Sequence, residues 1–189
     1  GRFEHLAEFI DGEARNSFRN KDVTASVIKC AHGHNHHGTR DAMINRRTTG
    51  TECPRCSEIE TWEHVIQCKH VKPMQREFIK KTAKDLFKAN EQNVAEETIL
   101  NVLEDIAIFF NNDGEDEEHT TSQQCVGIKE IFRGFIVKDW EGSNFNSERF
   151  RELNKVLVVN AVLFYKECWT LRNECYHNEE QQRHRVTKW

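Results

Sequence analysis

Cys53, Cys56, His64 and Cys68 place three thiols and one imidazole within sixteen residues, a donor set that can close a tetrahedron around one zinc ion. Zinc in a structural site takes thiolate and imidazole donors in a closed four-ligand shell, and a Cys-x2-Cys turn sets two sulfurs on one tight knuckle. His64 and Cys68 stand four apart, so one helical turn can aim both the same way. Seven residues separate Cys56 from His64, fewer than in the common double-cysteine, double-histidine finger. A compact knuckle is therefore expected rather than a hairpin-and-helix finger. The competing reading, reduced cysteines packed as small hydrophobes, gives Pro54 and the histidine no role. His70 is the alternative fourth ligand, but thiolate is the softer donor.

A second cluster, His32, His34, His36 and His37 with Cys30 nearby, offers accessory ligands for this zinc or for a second one. A histidine loop binds metal only where its backbone is held, and Gly33 and Gly38 favour a solvent-exposed loop instead. The letters His34-Asn35-His36 do not make an HNH nuclease, whose ligands and base are spread over tens of residues.

The elements that must position these residues read as helices. The chain has 189 residues, of which 37% are hydrophobic, and twelve Phe and four Trp supply the area for a folded core. It has two prolines, no alternating apolar run and no hairpin turn signal, so an all-α fold is expected with a small CCHC zinc knuckle near the N-terminal third. Seven cysteines, an odd number, and no apolar leader favour an intracellular setting, nuclear or cytoplasmic. No apolar run reaches the roughly twenty residues of a membrane span. Starting at Gly1, the chain is expected to be a segment of something longer.

Charge is distributed unevenly. The formal net charge of −4 argues against indiscriminate attraction to nucleic acid. Yet Lys69 to Lys88 holds seven Lys or Arg against Glu77 and Asp85, and Ala89 to Ile128 holds none. At helical spacing Lys69, Lys72, Arg76, Lys80 and Lys84 share one face, opposite Val71, Met74, Phe78, Ile79 and Leu86. Such a ridge is either a phosphate contact or an ordinary solvated face.

The expected organisation is an N-terminal helical segment with the His-rich loop over 1–47, with helices near Phe3–Phe18 and Asp22–Ala31, and the knuckle over 48–72. Basic then apolar helices follow over 69–110, the apolar one from Val94 to Phe110. An acidic linker spans 111–121, with five acids in eleven residues, and a C-terminal helical segment runs over 122–189. Within that last segment a helix from Ser122 should end near Gly134, a residue suited to a left-handed cap. Phe135, Ile136 and Trp140 should return to the core, and Ser147 should cap a long helix to about His177.

The order of features resembles the C-terminal region of non-LTR (LINE-like) retrotransposon reverse-transcriptase polyproteins over about residues 28 to 180. The matching residues are Cys53-Pro54-Arg55-Cys56, Glu60-Thr61 before His64, then Gln124, Gly127, Gly134 and Trp140, and finally Trp169, Arg172, Asn173 and His177. Lys29-Cys30-Ala31-His32-Gly33 matches a stretch that precedes the knuckle in such elements. The resemblance implies a non-catalytic tail that binds RNA or DNA beside a polymerase domain of the same polyprotein.

The residues themselves exclude the polymerase chemistry, since there is no Asp-Asp pair for magnesium and no Gly-rich phosphate loop. No Lys follows an acid by two positions, as a restriction-type nuclease would require. No enzymatic activity is expected. Trp169 and Arg172, three apart on a helix, either present a stacking and cationic pair or pack inward. Trp62 likewise either plugs the knuckle or offers a platform. The competing function class is a helical interaction or scaffolding module braced by a structural zinc.

Overall fold

The computed structural model describes residues 51–91, 93–111, 126–141 and 148–186, with side chains to 176. The expectations for 1–47, including His32 and His34, and for most of the acidic linker lie outside these residues, as do Gln124 and Ser147.

The described residues are mostly helical and contain no strand. Four α-helices are described among these residues, α1 (Trp62–Gln67), α2 (Lys72–Ala89), α3 (Glu96–Asn111) and α4 (Arg151–Val186). Short 3-10 turns join them at Lys69–Val71, Ile128–Arg133 and Glu148–Phe150. Pro73 sits in the first turn of α2, where its missing N–H costs no helical hydrogen bond. Gln75, Phe78, Thr82 and Leu86 follow helical spacing and form the buried face of α2. Asn90 closes the turn to α3, its amide donating to the Val94 carbonyl at 2.8 Å while its oxygen accepts from the Val94 N–H at 2.9 Å. Glu96 and Glu97 then lie at the positive end of the α3 dipole.

The segment before Gly134 takes a tighter form than the α-helix expected from Ser122. Gly127 and Gly134 both have positive φ, 107° and 81°, and leave six residues between them. Six residues bounded by two such corners make a 3-10 turn, the form suited to short pieces. At its end the Gly134 N–H donates to the Ile131 carbonyl and the Phe135 N–H to the Glu130 carbonyl, each at 2.9 Å, so Gly134 is the left-handed cap. Ile136 and Trp140 are buried and Phe135 is half-buried. The long helix extends past the expected end, its 36 residues spanning about 54 Å at 1.5 Å per residue.

One phenylalanine from each major element meets at the centre of the core. Phe78 of α2 stacks on Phe164 of α4 with ring centroids 4.7 Å apart, and Phe110 of α3 lies 5.5 Å from both Phe132 and Phe164. Phe132, from the 3-10 turn, is fully buried. Nearby, buried Asn154 accepts the indole N–H of Trp140 at 2.6 Å and donates to the Val137 carbonyl at 3.0 Å, fastening the 136–140 segment to α4. Truncating the shared ring should cost more than a peripheral one. Phe132→Ala is expected to lower unfolding free energy in urea by roughly 3–5 kcal/mol.

Candidate metal centre

The knuckle begins as a minimal hairpin. Glu52 and Ile59 form an antiparallel bridge, the Cys53 N–H donates to the Glu58 carbonyl at 2.7 Å, and the Ser57 N–H donates to the Cys53 carbonyl at 2.9 Å. The turn tightens through Ser57, a non-glycine residue at φ 63°. Thr61 then caps α1, its hydroxyl accepting the His64 N–H at 3.1 Å. The helix carries His64 and ends at Cys68, whose N–H still donates to the His64 carbonyl at 2.8 Å. A short hairpin and a six-residue helix are thus both present, where the seven-residue gap favoured a knuckle without them. The helix begins inside that gap at Trp62 and carries His64 in its first turn, while the bridge closes the turn that holds Cys53 and Cys56.

These local structures bring the four donors together. The ligand atoms of Cys53, Cys56, His64 and Cys68 all lie within 4.8 Å of one another. Cys53 Sγ and Cys68 Sγ are 4.0 Å apart, and Cys56 Sγ is 3.1 Å from His64 Nε2. A metal with sulfur bonds near 2.3 Å requires tetrahedral sulfur edges of about 3.8 Å, so the group fits a metal ion. Cys53 and Cys68 are buried and close the inner side, while Cys56 and His64 are half-buried. His70 is exposed and stands outside the group.

The three thiols of the group sit in unlike surroundings. The hydrogen bond with Cys68 pulls the Cys53 thiol down to about 2 against the effect of burial, with help from His64 and Arg55. The same bond, followed by burial, drives Cys68 upward. Burial raises Cys56. Arg55 donates from Nη2 to the Val65 carbonyl at 2.9 Å, and its buried Nε and Nη1 have no hydrogen-bond partner. That leaves a desolvated cation beside the thiols, the charge a three-thiolate shell calls for. Since Nε2 of His64 faces Cys56, its Nδ1 turns outward and lies 3.9 Å from Glu58 Oε2. A carboxylate on that side is the kind of neighbour that favours the proton on Nδ1 and leaves Nε2 free for a metal, although at 3.9 Å it makes no direct hydrogen bond here. Cys168 is not part of this group; burial pushes its thiol up to about 12.

A buried ion pair ties the knuckle to α4. Arg172 Nη2 donates to Glu60 Oε2 at 2.7 Å and Nε to Oε1 at 2.9 Å. The Glu60 side chain is 0% exposed and that of Arg172 5%. The guanidinium also lies 5.2 Å from the Trp169 ring centroid and 4.9 Å from that of Tyr176. Arg172, an accessory nucleic-acid candidate in the sequence, therefore turns inward. Trp62 is also a packing residue, half-buried 6.4 Å from Tyr165 and beneath Arg133 at 5.4 Å. Lys69, Lys72, Arg76, Lys80 and Lys84 are all exposed, Lys69 near Glu58 at 3.4 Å and Lys80 paired with Glu77 at 2.9 Å.

Arg55, Glu58 and the Glu60–Arg172 pair are contributors that sequence reasoning did not assign. The only available signal was that Glu60-Thr61 and the Trp169-to-Asn173 run had each stood out separately. Removing one partner of a buried pair strands the other charge. Arg172→Met is expected to cost roughly 3–5 kcal/mol in denaturant unfolding, and the double variant Glu60→Leu with Arg172→Met distinctly less. Comparisons with family models, curated proteins and solved structures find no match for this chain, so its functional reading rests on the cluster and the surface around it.

Proposed function

We propose that the cluster holds one zinc ion and that the chain is a non-catalytic nucleic-acid-binding module, with the zinc bracing the knuckle from which α2 projects a cationic face. Three thiolates and an imidazole are donors that zinc takes in closed structural sites. Four protein ligands leave no position for water or substrate, so the zinc's role is to hold the fold.

The observation that carries this reading is on α2. Lys72, Arg76, Lys84 and Lys88 are exposed and have no ion-pair partner among the described residues. Unpaired cations at one-turn steps have their charge available for phosphates, unlike Lys80, which is engaged by Glu77. The line from Lys72 to Lys88 runs about 24 Å at 1.5 Å per residue. By resemblance, such a module would work beside a polymerase domain and hold RNA or DNA. The net charge of −4 favours the second reading, a helical scaffold with the same structural zinc. Salt separates the two, because phosphate contacts release counterions and an apolar interface does not.

Native mass spectrometry is expected to find one zinc on the chain and none on Cys53→Ser, with loss of α1 signal in amide exchange when the metal is removed. A retained zinc in that variant would exclude Cys53 as a ligand. Charge reversal of Lys72, Arg76 and Lys84 to Glu is expected to weaken RNA and DNA binding and to reduce the slope of log K against log salt by roughly two to three. An unchanged slope would remove α2 from the interface.

A further inference from the structure

Phe87 stands out on α2 because its neighbour Leu86 is the core residue, while Phe87 itself is 40% exposed. At 100° per residue it lies within about 20° of Arg76 and Lys80, on the cationic face and away from Phe78, Thr82 and Leu86. Lys84 precedes it by three residues and Lys88 follows it directly, both without ion-pair partners. The residue one turn before it is Ala83, too small to cover a phenyl ring. The other phenylalanine of α2, Phe78, stacks on Phe164 in the core, whereas Phe87 has no ring partner among the described residues. Beyond Lys88 the surface continues into an open cleft of about 430 Å³ between α2 and α4, lined by Asp85, Lys88, Ala89, Lys155, Val156 and Asn160 among others.

An exposed aromatic ring flanked by Lys84 and Lys88, with Lys80 held by Glu77, fits one ligand chemistry. Single-stranded nucleic acid presents phosphates to the cations and unstacked base faces to the ring, and stacking is indifferent to base identity. A duplex keeps its bases stacked on each other and offers the ring nothing. We propose that Phe87 is a base-stacking platform that makes the α2 surface select single-stranded over double-stranded nucleic acid. This rests on the nucleic-acid reading above and goes further by naming the form of the ligand.

The test uses the full zinc-loaded chain and two fluorescein-labelled probes, a twelve-nucleotide RNA of mixed sequence and the duplex of the same sequence, followed by anisotropy at two salt concentrations. The native chain is expected to prefer the single strand. Phe87→Ala should lower the ratio of single-strand to duplex affinity roughly tenfold while keeping the salt slope, and Phe87→Trp should restore the ratio. Circular dichroism melting of each variant reports whether the helices are retained. A ratio unchanged in well-folded Phe87→Ala would overturn the platform and leave the cationic surface standing. If the native chain binds neither probe nor the DNA versions of the same sequence, the nucleic-acid reading fails and the platform with it.

Discussion

Arg172 and Glu60 are separated by 112 positions and meet in a contact from which water is excluded. A guanidinium and a carboxylate both lose hydration there, and each is tolerable only because the other is in place. The aromatic faces of Trp169 and Tyr176 complete the enclosure of the cation. Glu60 is the last residue before the Thr61 cap, so its anchoring to α4 holds the start of α1 and with it the backbone that presents His64. The hairpin, the short helix and the long helix therefore share one fastening. The knuckle cannot shift against α4 without exposing a charge to a medium that cannot solvate it.

That fastening matters because the knuckle has little core of its own. A turn of six residues and a helix of the same length bury too few side chains to be stable alone. Two external supports compensate. One is the group of three thiols and an imidazole, which could hold a metal ion in place of a hydrophobic centre. The other is docking onto α4, where Val65, Ile66 and Cys68 join the same buried cluster as Leu157, Phe164 and Cys168. Gln67 and Gln75 contribute at the seams, donating to the Phe109 carbonyl at 2.8 Å and the Ile66 carbonyl at 2.7 Å. Arg55 belongs to the same region, a half-buried cation whose Nη2 donates to the Val65 carbonyl. Together these contacts set the direction in which α2 leaves the knuckle, and so where its cations face solvent.

The two faces of α2 carry different chemistry for a simple reason. Phe78 and Leu86 must face the aromatic centre shared with α3 and α4, and helical geometry then forces Lys72, Arg76, Lys84 and Lys88 outward. The burial of one face fixes the exposure of the other. A scaffold would be served equally well by ion-paired charges, as at Lys80 with Glu77 and Lys155 with Glu152. The unpaired line next to an exposed aromatic ring is what the nucleic-acid proposal rests on, and the net charge of −4 is what the scaffold reading rests on.

Much of this was legible along the chain because it depends on short-range spacing. The four donors, the basic face of α2, the apolar run of α3 and the left-handed cap at Gly134 are all set within a few turns of local sequence, where the period of the helix converts order into geometry. Tertiary structure alone decided what happens between distant segments. It turned Arg172 inward, made Arg55 and Glu58 neighbours of the metal-binding group, and joined Phe78, Phe110, Phe132 and Phe164 into one centre. The tight 3-10 form between Gly127 and Gly134 became clear only when both glycines took positive φ. The physical reason is the same in each case: a residue's type states what it can bind, but the choice between water, a buried partner and a ligand is made by the segments that pack around it.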